Sequence, residues 1–202
     1  MPISLVKGQK VSLEKSGTSL KQVCVGLNWG AIETKKFFGG RKVVAVDLDA
    51  SCAVFSGKNE LKDIVYFGNL TSRDGAIRHS GDDRTGDAGG DDGLDNEIIT
   101  VDFSRVDAGI DKVVFVLNSY KGQDFATVPF ARIRIYEGSP ERVDNVLATF
   151  DIAADPKYAG HVSMVMGRFY RHQGAWKFAA IGDSTTDRKL EDTIRTVARL
   201  YL

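Results

Sequence analysis

Val43-Val44-Ala45-Val46-Asp47-Leu48-Asp49-Ala50-Ser51-Cys52 decides the fold class of this chain. Successive side chains of a β-strand point to opposite faces. Extended from Val43 to Phe55, the segment puts Val44, Val46, Leu48, Ala50 and Cys52 on one face and Asp47, Asp49 and Ser51 on the other. The carboxylates stand roughly 7 Å apart along the strand, so they can converge on one ion or bracket two. The alternative is a solvated strand face. A wholly exposed face gives no reason for two carboxylates inside a mostly apolar run, so the pair reads as a site.

The period of two recurs outward from this segment, in runs rich in Val, Ile, Phe and Tyr. It predicts further strands over Val23–Trp29, Asp63–Tyr66, Glu97–Phe103, Lys112–Ser119, Ala131–Tyr136, Ala148–Ile152, Ser163–Arg171 and Trp176–Ile181. Turn residues separate them: Phe38-Gly39-Gly40, Ser56-Gly57-Lys58-Asn59, Arg73-Asp74-Gly75, Lys121-Gly122-Gln123 and Arg171-His172-Gln173-Gly174. The last predicts a hairpin between two long strands. Phe67–Leu70 reads as one short helical turn. Asp187–Tyr201 reads as a helix whose Leu190, Ile194, Val197, Ala198 and Tyr201 form one apolar stripe, with Asp187 as N-cap. Many strands and one amphipathic C-terminal helix predict an all-β fold, a two-sheet β-sandwich, as a single domain over residues 1–202.

The segment 82–97 is the chemical outlier. It holds seven carboxylates, four glycines and one basic residue, Arg84, in a chain whose formal net charge is zero. Two carboxylates about 4 Å apart repel by about 1 kcal/mol even in water. A cation relieves this, and oxygen ligands on a glycine-rich backbone suit calcium, whereas magnesium demands a stricter octahedron. The helical calcium-hand pattern fails here. Counted from Asp83, position six is Ala88 and position twelve is Leu94.

Composition narrows the function classes. With 202 residues, 43% hydrophobic, one substantial core can form. Neutral charge and a pI near 6.8 argue against a general nucleic-acid binder. No apolar run approaches the ~20 residues of a membrane span. Met1–Gly8 lacks the apolar core of an export signal. These features predict a cytoplasmic protein with no direct membrane insertion, and Cys24 and Cys52 as buried free thiols.

Several motifs occur together, in order along the chain. They are Lys7-Gly8-Gln9-Lys10-Val11-Ser12-Leu13-Glu14-Lys15, Val25-Gly26-Leu27-Asn28-Trp29, Asp47-Leu48-Asp49-Ala50-Ser51 and Tyr66-Phe67-Gly68-Asn69-Leu70. His79-Ser80-Gly81-Asp82-Asp83-Arg84-Thr85-Gly86-Asp87, Arg168-Phe169-Tyr170-Arg171-His172 and Trp176-Lys177-Phe178 follow. Together they resemble the TerD family of tellurium-resistance and stress proteins over nearly the whole chain. The resemblance implies a two-sheet sandwich that binds calcium, with two ions, between the Asp-x-Asp strand and the acidic loop. It implies Asp47, Asp49, Asn69, Asp82, Asp83, Asp87, Asp91, Asp92 and Glu97 as ligands. The loop departs from the family pattern at Gly89, where Asp is common, at Asp83, where Asn is frequent, and at Gly93-Leu94-Asp95-Asn96, which reads as an insertion. The resemblance further implies roles in resistance to tellurite, phage or DNA damage. It implies TerD-like paralogues and a TerC-type integral membrane protein as partners, at the inner face of the membrane. A homo-oligomer is a further expectation. No CxxC and no flavin or nicotinamide fingerprint suggest tellurite reduction by this chain.

Two other readings compete with calcium-dependent scaffolding or sensing. A hydrophobic strand ending in Asp-x-Asp also fits a magnesium-dependent phosphatase using Asp47 and Asp49, with Gly182-Asp183 imitating a second metal motif. That chemistry needs a doubly wound sheet with crossover helices, and here strand follows strand. The other is a metal-bridged nucleotide or phosphate-ligand module. His79, His161 and His172 lack a nucleophile elbow. His79 reads as a surface hydrogen-bonding residue, or as a pH-sensitive neighbour of the acidic loop. Core packing is expected for Trp29, Tyr120, Phe125, Tyr170 and Trp176. Arg132, Arg134, Arg168 and Arg171 form either a basic face for an anionic partner or a solvated sheet face.

Overall fold

The computed structural model describes residues 3–4, 8–15, 18–35, 39–151 and 156–202. Met1, Pro2, Leu5–Lys7 of the opening segment, Phe38 of the first turn and Ile152 at the end of one expected strand lie outside them. In chain order the strands are β1 (Ile3–Ser4), β2 (Lys10–Ser12), β3 (Glu14–Lys15), β4 (Thr18–Ser19), β5 (Gln22–Trp29) and β6 (Ile32–Lys35). Then come β7 (Arg41–Val44), β8 (Leu48–Ser56), β9 (Leu61–Val65), β10 (Ile77–His79), β11 (Glu97–Asp102) and β12 (Ile110–Ser119). The last are β13 (Ala131–Ser139), β14 (Arg142–Asp151), β15 (Ser163–His172) and β16 (Ala175–Thr185), followed by helix α1 (Leu190–Leu200).

Two six-stranded sheets form the sandwich. One runs β1-β14-β13-β5-β11-β10, the other β2-β16-β15-β12-β8-β9. Every pairing is antiparallel except β1 with β14. The inner faces interdigitate as alternation requires. Val23, Val25, Leu27 and Trp29 of β5 and Ile133 and Ile135 of β13 meet Leu48, Ala50, Cys52 and Val54 of β8 and Val113, Phe115 and Leu117 of β12. Burial of a side chain of this size stabilises by roughly 1.5–3 kcal/mol. Helix α1 covers the other face of the second sheet, where Ile194 and Val197 pack on Ala53, Phe55, Val114, Val116 and Val165. Cys24 and Cys52 are buried free thiols. Among the described residues no helix is long and apolar enough to cross a membrane.

The β15–β16 hairpin turns on Gln173 and Gly174, with φ of 52° and 82°. The doubly wound parallel sheet required by the phosphatase reading does not occur among the described residues.

Four local expectations need correction. Val43–Phe55 is not one strand. β7 leaves the sandwich in a ribbon with β6, which puts Val44 in solvent at 36% exposure instead of in the core. The chain then crosses to β8 through Ala45-Val46-Asp47. Loops satisfy the backbone there: Val46 N donates to Thr85 O (3.1 Å), Tyr120 N donates to Asp47 O (2.9 Å), and the Trp29 indole donates to Val46 O (2.8 Å). Phe67–Leu70 belongs to a tight turn, not a helical one, because Tyr66 and Asn69 exchange both backbone bonds. Helix α1 starts later than expected, with Lys189 as its cap, because Asp187 instead accepts the Thr185 hydroxyl (2.8 Å). Tyr120 is 66% exposed, against the core packing expected, whereas Trp29, Phe125 and Trp176 are buried.

Candidate metal centre

Asp49 is the second residue of β8, and Asp47 lies two residues earlier on the crossing segment. Asp82 approaches them from the start of the acidic loop. One carboxylate oxygen from each of the three lies within 4.8 Å of the others. A cavity of about 170 Å³ adjoins them, walled also by Phe67, Arg84 and Tyr120. Asp47 is 1% exposed, and neither of its carboxylate oxygens accepts a hydrogen bond among the described residues. The Lys121 ammonium faces it as an ion pair at 3.1 Å, and Arg84 pairs with Asp82 at 3.3 Å from the rim. Burial, then the negative charges of Glu97, Asp47 and Asp82, push the Asp49 carboxyl up to about 8, against the pull of Lys121.

A second trio forms further along the loop. Asp87, Asp91 and Asp92 also bring carboxylate oxygens within 4.8 Å of one another. Gly89 and Gly90 take positive φ between them, which lets the chain double back. The Asn28 amide donates to Asp87 (3.4 Å), to Asp91 (3.2 Å) and to Leu94 O. Its carbonyl oxygen is buried without a partner among the described residues.

The acidic stretch therefore divides between two clusters, and the three other expected ligands, Asp83, Glu97 and Asn69, make hydrogen bonds within the protein. Asp83 shapes the loop: its carboxylate accepts the Thr85 amide (2.8 Å) and hydroxyl (2.7 Å) and the Asn96 amide (3.0 Å). Burial opposes ionisation of Asp83, but these bonds and one from Gly86 hold it below the usual carboxylate range. Glu97, fully buried, accepts Ala50 N (2.7 Å) and Asp83 N (3.3 Å). Asn69 donates its amide to Ile64 O (2.6 Å) inside its own turn.

Residues missed by the sequence reading hold the loop in place. Asn96 accepts Trp29 N (2.8 Å) and donates to both Asp83 and Asp87. Asp95 pairs with Arg134 at 2.7 Å. Gly93–Asn96, which reads as an insertion, thus anchors the loop. The regular signal was available: Asn96 precedes the first residue of a strongly periodic strand.

His79 is buried instead of lying at the surface. Its Nδ1 accepts Gly81 N (3.0 Å), so the proton sits on Nε2, 2.9 Å from Ala50 O. The four arginines form no common face. Arg132 and Arg134 are on β13 of one sheet, Arg168 and Arg171 on β15 of the other. Arg132 pairs with Asp151 (2.8 Å) and Asp91 (3.5 Å). Arg171 donates to Ile110 O (2.8 Å) and Arg168 to Tyr201 O.

Both clusters offer only oxygen, with no thiolate or imidazole among the converging groups. That donor set suits a hard cation and disfavours zinc.

Comparison with known proteins agrees with this architecture. A family model described as the TerD domain matches residues 1–196. The chain is 38% identical to stress response protein SCP2 of Bacillus subtilis (strain 168), over 96% of this chain and 98% of the relative. It is 34% identical to tellurium resistance protein TerZ of Serratia marcescens, over 94% of each. The crystal structure of a homologue of telluride resistance protein (TerD) from Streptomyces coelicolor A3(2) superposes with a TM-score of 0.65 at 21% identity. That match covers 89% of this chain and 96% of the other, and speaks to the fold alone.

Proposed function

Since this chain belongs to the TerD domain family, we propose that it is a non-catalytic calcium-binding protein of the tellurium-resistance and stress-response type. The observation that carries the reading is Asp47. A carboxylate that is 1% exposed, accepts no hydrogen bond among the described residues and has two further carboxylates converging on it leaves more negative charge than the one half-exposed Lys121 ammonium at 3.1 Å offsets, an excess that a bound cation relieves. Asp47, Asp49 and Asp82 would hold one ion, and Asp87, Asp91 and Asp92 a second. Bound calcium supplies the positive charge that offsets carboxylate repulsion and fixes the loop. The chain's own part is to hold those oxygens in place through Asn28, Asn96 and Glu97. Binding to the folded state alone stabilises it by about 2.7 kcal/mol when free ion stands at 100 times Kd.

The biological role proposed is calcium-dependent scaffolding or sensing in an envelope-associated complex. TerD-like paralogues and a TerC-type integral membrane protein would be its partners. The cytoplasm, with peripheral attachment at the inner face of the membrane, is the proposed location.

Calorimetric titration of chelator-treated protein with calcium, and separately with magnesium, tests the ion. Selective calcium binding is expected. No heat with calcium, or a clear preference for magnesium, would sink the reading.

A further inference from the structure

Beside the first cluster, between the start of α1 and the edge of the second sheet, lies a separate cleft of about 430 Å³. Its walls include Tyr66, Phe67, Tyr120, Asn118, Arg188 and Lys189. Three independent features give it a chemical polarity.

The first is an unmet acceptor in the floor. Asn118 is 6% exposed, its amide nitrogen donates to the Thr193 hydroxyl (2.9 Å), and its buried carbonyl oxygen has no partner among the described residues. Leaving such a buried acceptor unpaired is unfavourable. Asn118 stands opposite Asp49 in the β12–β8 register, so this unmet acceptor lies beside the first cluster and calls for an N–H or O–H donor. The second is an aromatic wall. Tyr66 and Phe67 meet edge to face at 5.3 Å, and Phe67 and Tyr120 at 5.8 Å, yet Tyr120 stays 66% exposed. The third is a basic rim. Arg188 and Lys189 are exposed, and neither side chain makes an ion pair or hydrogen bond among the described residues. Both stand where the amide groups of α1 favour an anion.

We infer that this cleft takes a small aromatic organic anion, with an N–H or O–H donor on the Asn118 carbonyl, a flat ring against Phe67 and Tyr120, and its anionic group at Arg188 and Lys189. Asp49 and Glu191, which also line the cleft, disfavour a bare inorganic anion. A phosphate-bearing and a carboxylate-bearing ring share the required chemistry. The cleft adjoins the first cluster through Asp49, Phe67 and Tyr120, whereas Asn118, Arg188 and Lys189 belong to neither aspartate trio, so binding is read both with and without calcium.

The test is an NMR titration of the full-length protein, run in calcium and again in chelator. AMP, 4-aminobenzoate and inorganic phosphate are the probes. At least one ring-bearing probe should saturate and shift the Asn118 side-chain amide and the Tyr120 and Leu190 backbone amides. Whichever ring binds identifies the source of the anion. Asn118→Ala should weaken it about tenfold, the loss of roughly one hydrogen bond. Thr193→Val removes the same internal bond and leaves the acceptor, so it controls for damage to the fold and should bind as the parent does. No shift at these residues with either ring in either buffer would overturn the inference. So would an equal response to phosphate alone, or unchanged affinity in Asn118→Ala.

Discussion

The Glu97 carboxylate lies 3.5 Å from Nε2 of His79, with both side chains withdrawn from solvent. Glu97 also accepts the amides of Ala50 and Asp83. One side chain thus ties β11 to β8 and to the acidic loop, a positioning role distinct from the ligand role implied by the family resemblance.

Glu97→Ala should therefore destabilise the fold by about 3 kcal/mol, as expected when one member of a buried polar set is removed. Urea denaturation in chelator reads this directly. Calcium binding at the Asp47–Asp49–Asp82 cluster should weaken as well, since Asp83 and Asp82 lose their anchor. Unchanged stability would show that Glu97 is dispensable.

Protons should compete with the ion at Asp49. Its folded carboxyl titrates near 8, against about 3.9 for an unfolded Asp. Between those values the folded state binds the extra proton, so ion-free stability falls as pH rises from about 4 through about 8. Calcium must displace that proton. Its affinity should climb as pH is raised from 6 to 8, with proton release detectable by calorimetry in buffers of different ionisation enthalpy. A flat affinity across that window would contradict the assignment.

The two clusters should be separable. Asp49→Asn should remove one binding event and spare the other, and Asp91→Asn should do the reverse, each read as stoichiometry in a calcium titration. Loss of all binding in both variants would mean that the trios form a single site.

Gly26 and Asp95 test the loop anchor. A methyl group at Gly26 would overlap the Asp95 carboxylate, which is paired with Arg134 at 2.7 Å. Gly26→Ala should cost about 2–4 kcal/mol, the range for disturbing a buried charge pair. Limited proteolysis near Gly89-Gly90 should accelerate in the variant.

The β15–β16 turn offers a stabilising change. Gln173 holds φ of 52°, a region in which Asn is enriched several-fold and which a two-residue Asn-Gly loop favours. Gln173→Asn should raise stability by about 0.5 kcal/mol, seen as a small rise in Tm.

The long strands of both sheets were legible because each spans six or more residues with turn chemistry at its ends. β15 and β5 follow from this pattern to within one residue, whereas β16 runs on to Thr185, past its expected end at Ile181. β10 was not legible, because three residues cannot display a period. The break at Ala45-Val46-Asp47 was hidden for a different reason. Its backbone bonds go to Thr85, Trp29 and Tyr120, partners that no local pattern names. At the site, the acidic residues announced themselves by density alone. Their division was not readable, because nothing in the sequence separates the two converging trios from Asp83 and Glu97, whose carboxylates accept backbone amides in the fold. Asn28 and Asn96 gave no electrostatic signal, since neither carries charge.

Asp82 and Asp87 belong to different clusters yet stand only five positions apart, a tether that spans at most about 18 Å when fully drawn out. On the proposed reading each ion would pin one end of that tether. The loop would then act as a latch held at two points, and release at either would leave the other to hold the chain alone.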